Sequence, residues 1–290
     1  MPSGREPVTT TPLERLSAVL RTFDSVLVAF SGGTDSTLVL RVAHEALGDR
    51  CVALTTLSPS TPLHDRRAAD ELAQSFGVRH LQIDTDELAV AEYAANPVNR
   101  CFFCKTNLFE ICEGERARLG LAAVVDGANV DDLGDHRPGL TAAARHGVRH
   151  PLIEAGLTKA DVRAASRALG LPTWDRPASP CLSSRVPYGT PITAPLLARI
   201  DAAEQLLRTL GFRELRVRAH DTLARIEVPP ADLPRLVEPA VRSRVTSELR
   251  ALGFLHVTLD LLGFRSGSLN EGVVENTKGP AASPRAPRVR

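Results

Sequence analysis

The feature that most constrains the fold is a continuous apolar run, SVLVAF at residues 25–30. The run is followed by a turn with two glycines, Gly32 and Gly33, and then by a helical stretch. A strand that is apolar on both faces must be covered on both, as happens in parallel sheets. Three more stretches are predicted to be strands, at residues 51–57, 80–85 and 122–127, and the stretches between them have helical periodicity. This alternation predicts an α/β domain with a parallel, doubly wound sheet, whose ligand site lies at the carboxyl ends of the strands.

The pattern changes after a long segment rich in proline and glycine, residues 171–193. Beyond it the periodicity predicts the order α-β-β-α-β, near residues 194–210, 213–219, 222–229, 231–252 and 255–262. That order indicates a smaller α+β domain with an antiparallel pair of strands. The predicted division is a disordered start at 1–11, a first domain at 12–178, a functional loop and boundary at 179–193, a second domain at 194–272 and a disordered tail at 273–290.

Composition excludes several classes of protein. In the 290 residues no apolar run reaches the roughly 20 that span a bilayer, and no signal-peptide pattern begins the chain. We therefore expect a cytoplasmic protein without membrane partners. A net charge of +1 argues against a dedicated nucleic-acid binder. Of the five cysteines, Cys51 and Cys112 are expected to be small buried side chains.

The first apolar run leads directly into SGGTDS, residues 31–36. Two glycines allow a tight turn and close approach of the backbone to a ligand, and the helix that follows presents free N–H groups to an anion. The segment lacks the GxxxxGK[ST] pattern of P-loop nucleotidases. An ordinary glycine turn is the alternative, but the whole hexapeptide between a strand and a helix favours a phosphate-binding cradle.

Three further cysteines stand in unusual surroundings. Cys101 and Cys104 form a CxxC pair in NRCFFCKT, and Cys181 lies in SPCLSS, within the proline-rich segment. In a cytoplasmic protein such thiols favour catalytic or metal-binding roles over disulfides. A zinc site with a fourth ligand such as His136, and a redox dithiol, remain alternatives.

In its context, SGGTDS resembles the PP-loop of the N-type ATP pyrophosphatases, which cleave ATP between the α and β phosphates and pass AMP to a substrate oxygen. The resemblance implies that ATP and Mg²⁺ are cofactors. It implies that the pyrophosphate is held by Ser31, Gly32, Gly33, Asp35 and Ser36. It also implies that Asp35 lies near the Mg²⁺.

Four longer segments narrow the resemblance: VVDGANVDDLGDHRPG, SPCLSSRVPYGTPIT, RVRAHDTLARIEVP and LDLLGFRSGSLNE. Over residues 12–272 the chain resembles the LarE family, the sulfur-inserting enzymes of nickel-pincer nucleotide biosynthesis for lactate racemase. This implies that both carboxylates of pyridinium-3,5-biscarboxylic acid mononucleotide are adenylated and converted to thiocarboxylates. The implied partners are this nucleotide substrate, the other enzymes of nickel-pincer cofactor assembly and further copies of the chain, in a trimer-based hexamer.

The same resemblance assigns roles to the thiols. In some family members the counterpart of Cys181 gives up its own sulfur after attacking the acyl adenylate, and dehydroalanine remains. In others three cysteines hold a 4Fe–4S cluster that delivers sulfide. This chain fits the second pattern, with Cys101, Cys104 and Cys181 as the ligands.

Further site residues rest on the resemblance and on their position at strand ends. The acidic loop after the fourth predicted strand is expected to contact the nucleotide or the substrate. The predicted contacts are Asp126, Gly127, Asn129 and Asp131. The substrate phosphate is predicted to contact Ser184, Arg185, Arg216 and Arg218. Since Arg216 and Arg218 alternate with apolar residues on one strand, a solvated outer face is the alternative interpretation. Glu204 and Glu227 resemble acidic residues that are grouped, as potential metal ligands, where family members meet as trimers.

Two other functions fit parts of the pattern. Certain cluster-dependent tRNA thiolases also combine a PP-loop with CxxC and a distant cysteine, but the acidic NVDDLGD loop and the near-zero net charge count against RNA binding. A nucleotide or cluster sensor on the same fold would bind ATP without releasing pyrophosphate. An amide-forming synthetase has no use for Cys181.

Overall fold

The computed structural model describes residues 10–134, 138–265 and 267–270. The predicted disordered tail and His136 lie outside these ranges, as does nearly all of the predicted disordered start. Thr11 is the one residue of this predicted start, besides Thr10, that the structure describes, and its hydroxyl accepts the N–H of Glu14 to cap the first helix. The described residues form two compact units, the first of residues 10–183 and 188–201 and the second of 184–187 and 202–270. The domain division at 12–178 and 194–272 stays a prediction.

The first unit alternates strands and helices. In chain order its elements are α1 (Pro12–Leu20), β1 (Val26–Ala29), α2 (Thr34–Leu47), β2 (Cys51–Leu57), α3 (Leu63–Ser75), β3 (Arg79–Asp84), α4 (Ala91–Ala94), α5 (Arg100–Leu119), β4 (Ala123–Val125), α6 (Pro138–Arg145), α7 (Pro151–Glu154) and α8 (Lys159–Ala168). The four predicted strands are confirmed, each within two residues of its predicted ends.

The four strands form one parallel sheet in the order β3-β2-β1-β4. Successive side chains of a strand point to opposite faces. Val26 and Val28 accordingly pack with α1, α2 and α8 in one apolar cluster, whereas Leu27 packs with α5 and α6 in another. Both faces of the sheet are therefore covered, and the predicted α/β class with a doubly wound parallel sheet is confirmed.

The remaining elements are α9 (Ala194–Thr209), β5 (Arg216–His220), β6 (Leu223–Glu227), α10 (Leu233–Val237), α11 (Pro239–Ala251) and β7 (His256–Leu259). In the second unit β5 pairs antiparallel with β6, and β6 pairs parallel with β7. The predicted smaller α+β region with an antiparallel pair is thus confirmed.

One predicted helix is wrong in detail. Residues 231–252 do not form a single helix, because Glu238 is extended with φ −53° and ψ 137° between α10 and α11. The cause is the proline that follows: a residue before proline is pushed out of the helical region, and Pro239 comes directly after Glu238. Among the helices in the described ranges, none is long and apolar enough to cross a membrane.

Candidate active site

The PP-loop segment, residues 31–36, connects β1 to α2 at the carboxyl edge of the sheet. Gly32 has φ +69°, and a Cβ there would lie 3.0 Å from the Cα of Ala69 on α3. Both the backbone angle and the lack of space therefore require glycine at this position. The residues predicted to hold the pyrophosphate follow one another around this turn and the first turn of α2: Ser31, Gly32, Gly33, Asp35 and Ser36.

The first turn of α2 is open to an anion. Gly33 occupies the N-cap and provides no side-chain cap. The hydroxyls of Ser31 and Ser36 lie 3.1 Å apart, and the N–H of Gly33 is 3.4 Å from the Ser31 hydroxyl. The free N–H groups and the positive end of the helix dipole favour a phosphate at this turn.

The loop after β4 closes against this turn. A Cβ on Gly127 would lie 2.7 Å from the backbone nitrogen of Ser36, so only glycine allows the approach. Beside it, Asp126 accepts a 2.7 Å hydrogen bond from Nδ1 of His150. That hydrogen bond is the main reason why the pKa of His150 is raised, against the opposing effect of burial.

A lysine outside the predicted set of residues also belongs to this site. Lys159, at the start of α8, forms an ion pair with Asp35. Asn129 donates to the other carboxylate oxygen of Asp35 at 3.3 Å, and Asp131 accepts the backbone N–H of Lys159 at 2.8 Å. Asn129 and Asp131 thus lie near the PP-loop segment, as expected. The available signal for Lys159 was the rarity of lysine, since the chain has three, the others being Lys105 and Lys278.

A cavity of about 380 Å³ lies at the carboxyl ends of β2 and β3. It is lined by Leu57, Pro59, Arg66, Asp84, Thr85 and Asp86. Arg66 is three residues before Ala69, which contacts the PP-loop glycine, so both lie on the same face of α3.

The three candidate thiols lie in the first unit. Cys101 and Cys104 occupy the first turn and a half of α5, and Cys181 immediately precedes a short 3₁₀ turn. Desolvation by the surrounding protein raises the pKa of both Cys101 and Cys104. Electrostatic interaction with Cys181 raises the pKa of both further, and for Cys104 the interaction with Glu87 is the larger of the two. Such coupling requires that the three sulfur atoms share one neighbourhood.

The thiols do not by themselves form a metal centre. Within the described ranges, no three His, Cys, Asp or Glu side chains are grouped so that they could hold a metal ion. The donor chemistry nevertheless suits iron and sulfide, because three sulfur ligands with two in one helical segment are typical of cluster proteins. The zinc alternative lacks a described set of ligands, and the 4Fe–4S hypothesis stays a prediction.

A buried polar cluster beside the thiols was missed from the sequence. Glu87 is 3% exposed, accepts the hydroxyls of Ser58 and Ser60, and hydrogen-bonds to the thiol of Cys104. Residues Ser58 and Ser60 follow β2 at the same edge of the sheet as the PP-loop segment. A serine pair after a buried strand was the signal, but nothing in the sequence showed that Glu87 would meet it.

The same cluster anchors the chain around Cys181. The hydroxyls of Tyr93 and Ser183 lie 2.6 Å apart, and the N–H of Leu182 donates to the carbonyl of Ser60 at 2.7 Å. Tyr93 is buried on α4, and burial is the main cause of the strongly raised pKa of its phenol. Contacts on the C-terminal side of Cys181 therefore hold this thiol near the thiols of α5.

In the second unit, the predicted substrate residues belong to a buried ionic cluster. Arg185 donates through Nε and Nη2 to the two oxygens of Glu204 at 2.8 and 2.9 Å. At most 1% of either side chain is exposed. A third hydrogen bond joins Nη1 of Arg185 to the hydroxyl of Ser184 at 3.0 Å. Arg185 thus orients Ser184.

The two arginines of β5 are also buried, so their interpretation as a solvated face is wrong. Arg216 and Arg218 are each 6% exposed, and the guanidinium of Arg216 lies 4.9 Å from the ring centroid of Phe264. Arg218 makes a bidentate ion pair with Glu227 and reaches the carbonyl of Ser184 at 2.9 Å. Burial is the main cause that lowers the pKa of Arg216 to about 10.

Glu204 and Glu227 are each neutralised by arginine within the chain. Glu204 pairs with Arg185 and also accepts the N–H of Val217 at 3.0 Å. Glu227 pairs with Arg218 and, at 3.2 Å, with Arg225. Their grouping near a trimer contact or a metal stays a prediction.

Comparison with known proteins gives one family profile and several relatives. The profile of the NAD synthase family matches residues 16–118, which include the PP-loop segment. An uncharacterised protein of Synechocystis sp. is 46% identical over 258 residues, which are 89% of this chain and 96% of that protein. The pyridinium-3,5-bisthiocarboxylic acid mononucleotide synthase of Lactiplantibacillus plantarum is 40% identical over 257 residues, 88% of this chain and 92% of that enzyme.

A more distant relative is a probable tRNA sulfurtransferase of Methanobrevibacter smithii. It is 23% identical over 216 residues, which are 70% of this chain and 55% of that protein. The name of this relative thus states sulfur transfer, whereas the name of the relative from Lactiplantibacillus plantarum states a bisthiocarboxylic acid product.

Proposed function

Since the chain belongs to the family of the pyridinium-3,5-bisthiocarboxylic acid mononucleotide synthase, the LarE family, we propose that it is an ATP-dependent sulfurtransferase acting on pyridinium-3,5-biscarboxylic acid mononucleotide. The observation that carries the proposal is that one compact unit contains both an open phosphate-type cradle and three electrostatically coupled thiols. A cradle alone fits any nucleotide-binding enzyme, and the thiols add sulfur chemistry.

The cradle is proposed to bind Mg-ATP. The PP-loop segment takes the β and γ phosphates, with Asp35 near the Mg²⁺ and with Asp126 and Gly127 closing the loop beside it. The cavity lined by Arg66 accommodates the nucleoside, because it lies on the same face of α3 as the contact to the PP-loop glycine. Lys159 neutralises charge at the cradle, since its ammonium group already contacts Asp35.

The chemistry proposed at the substrate has two stages. A carboxylate oxygen attacks the α phosphorus of ATP, pyrophosphate leaves, and the acyl adenylate forms. The sulfur of Cys181, as thiolate, then attacks the acyl carbon, and AMP leaves with the electron pair of the C–O bond. Loss of the Cα proton from the resulting thioester and cleavage of its Cβ–S bond yield the thiocarboxylate and dehydroalanine at position 181.

The other proposed source of sulfur, and the one that the pattern of three cysteines favours, is a 4Fe–4S cluster that Cys101, Cys104 and Cys181 would hold. When bound, such a cluster supplies an iron without a protein ligand, at which sulfide can be carried. The cluster requires the three thiols to be close, which the electrostatic influence of Cys181 on Cys101 and Cys104 supports, whereas the sacrificial route requires Cys181 alone.

The second unit is proposed to recognise the substrate phosphate. Ser184 and Arg216 are the proposed direct contacts. Arg185 and Arg218 act through Ser184, because their guanidinium groups are occupied by Glu204 and Glu227. By the same resemblance we propose that the chain forms a trimer-based hexamer, with Glu204 and Glu227 near the trimer contact. We also propose that it is cytoplasmic and acts together with the other enzymes of nickel-pincer cofactor assembly.

The proposal is tested by measuring pyrophosphate release with and without the biscarboxylic acid mononucleotide, together with iron and sulfide per chain after anaerobic purification. Bound iron and sulfide that disappear in Cys101→Ala, but not in the control Cys51→Ala, would assign sulfur delivery to a cluster. An iron-free protein that releases pyrophosphate, and then loses the mass of one H₂S at Cys181, would assign it to that cysteine. Absence of substrate-dependent pyrophosphate release would reject the proposed function.

The main competitor is a tRNA thiolase, because one distant relative is named as a probable tRNA sulfurtransferase. A thiolase must bind tRNA, and phosphate contacts make such binding weaken steeply as salt rises. A mobility shift with tRNA at moderate salt separates the two. A shift there, with tRNA-dependent pyrophosphate release, would favour the thiolase. A sensor would bind ATP and release no pyrophosphate with either substrate.

A further inference from the structure

The segment before Cys181 is attached directly to the PP-loop segment. The hydroxyl of Thr34 donates to the carbonyl of Thr173 at 2.8 Å. Further along, Nη1 of Arg176 donates to the carbonyl of Gly32 at 3.0 Å. The predicted phosphate cradle and the residues that lead to the reactive thiol therefore share hydrogen bonds.

Asp65 on α3 extends this attachment towards Cys181. One of its carboxylate oxygens pairs with Nη2 of Arg176, and the other accepts the hydroxyl of Ser179 at 2.6 Å. The carboxylate is largely buried, so its hydrogen bonds are poorly replaced by water. Arg176, Asp65 and Ser179 form a continuous bridge from the PP-loop backbone to a position two residues before Cys181.

The bridge contains a cation, Arg176, which an incoming nucleotide would attract. Arg176 is the guanidinium that the structure attaches to the PP-loop backbone, and arginine binds phosphate oxygens in bidentate fashion. Before the nucleotide binds, the carbonyl of Gly32 and the carboxylate of Asp65 hold the guanidinium of Arg176. The polyphosphate carries several negative charges and competes with Asp65 for the same donors.

We propose that the Arg176–Asp65–Ser179 bridge couples occupancy of the PP-loop segment to the reactivity of Cys181, an inference that rests on the proposed ATP site. Without nucleotide, Asp65 binds Arg176 and Ser179 together and holds the segment 173–181 against α3. With nucleotide, Arg176 turns towards the phosphates. The carboxylate of Asp65, no longer fixed by that guanidinium, turns towards the neighbouring imidazole of His64 and towards water, and it releases the hydroxyl of Ser179. The segment is released, and Cys181 becomes more reactive after the adenylating nucleotide has bound.

The test measures how fast iodoacetamide alkylates Cys181 in the full-length, iron-free chain, read from the mass of its peptide, with and without Mg²⁺ and a non-hydrolysable ATP analogue. In the wild type we expect the analogue to speed alkylation by about fivefold or more, the lower end of typical coupling between sites. Ser179→Ala removes the hydroxyl on an exposed residue, and we expect it to react fast under both conditions. Ser179→Thr keeps a hydroxyl and restores the response.

The matched control is Asp70→Asn, which removes one carboxylate charge from the same helix as Asp65. Asp70 bonds to Gln74 and Gln82 rather than to the segment before Cys181, so this variant should respond to the analogue like the wild type. Calorimetry of the analogue accompanies each variant. If the analogue binds but leaves the wild-type alkylation rate unchanged, or if Ser179→Ala still responds, the coupling is wrong while the proposed function stands. If the analogue does not bind at all, both are overturned.

Discussion

A Cβ on Gly127 would lie 2.7 Å from the backbone nitrogen of Ser36, although the two residues follow different strands. We therefore expect Gly127→Ala to push the loop after β4 away from the first turn of α2. The expected loss is about 1–3 kcal/mol in the free energy of unfolding, as for other overpacked sites. Mg-ATP should also bind more weakly. Urea unfolding and calorimetric titration measure the two effects.

The control for this change is Gly114→Ala. Gly114 lies inside α5, and a Cβ there meets nothing within 4 Å. Alanine is the better helix former, so this variant should be more stable than the wild type, by up to about 1 kcal/mol. Normal ATP affinity in Gly127→Ala would show that the close approach is not needed for the cradle.

The buried pair of Arg185 and Glu204 makes a prediction about stability. Burial opposes the charge of Glu204, but Arg185, the N–H of Val217 and Arg216 together outweigh burial and lower the pKa of the carboxyl. Glu204→Gln leaves the guanidinium of Arg185 buried without a counter-charge, which typically costs about 3–5 kcal/mol. We expect the midpoint of urea unfolding for the second unit to fall accordingly.

Two further variants are controls: the first breaks an exposed ion pair elsewhere, and the second removes both buried charges of Arg185 and Glu204. Glu45→Gln breaks an exposed pair with Arg41 and should cost less than about 0.5 kcal/mol. The double variant Arg185→Met, Glu204→Leu removes both buried charges and should recover most of the stability lost in Glu204→Gln. Equal losses in the single and double variants would show that packing, rather than charge, governs the site.

His150 makes stability depend on pH. Its pKa is raised in the folded chain by the hydrogen bond to Asp126. A raised pKa means that the folded state binds the proton more tightly, so the stabilisation is complete below the unfolded value, about 6.5, and disappears as pH rises through the folded value. His150→Gln should therefore lower the free energy of unfolding most at acid pH and progressively less above neutrality. A difference that stays constant with pH would contradict this assignment.

The five cysteines should differ sharply in reactivity. Burial raises the pKa of Cys51 and of Cys112 from 9.0 to about 12, which lowers their thiolate fraction by about a thousandfold. We expect iodoacetamide to modify Cys101 before either of them in the native chain, because Cys101 is exposed. Peptide mass spectrometry before and after urea checks this order. Early modification of Cys112 would mean that α5 opens locally.

The sequence was sufficient for the strands and for the PP-loop segment, because both depend on local patterns. The four strands and the glycine turn can each be predicted from residues that are neighbours in the sequence. Burial of Arg216 and Arg218 could not be read that way, since it depends on which segments cover β5. Alternation within a strand shows that two side chains share a face, but not whether that face meets water.

Long-range contacts account for the other omissions. Lys159 reaches Asp35 from α8, and Glu87 reaches two serines that follow β2. Each residue is ordinary in its own segment, and only the order of strands in the sheet determines its partner. The break between α10 and α11 is different, because Pro239 is visible in the sequence and predicts an extended residue before it.

The strand order β3-β2-β1-β4 has a consequence for synthesis on the ribosome. β1 lies inside the sheet, and its second neighbour is β4, so one side of β1 stays uncovered until β4 and Gly127 have left the exit tunnel. The cradle after β1 cannot be closed before then, although its own residues are among the first to emerge. Parallel pairing over such distances along the chain is slow. A nascent chain stalled before β4 should consequently be recognised by chaperones and not retained by immobilised ATP, whereas one stalled after α8 should be retained.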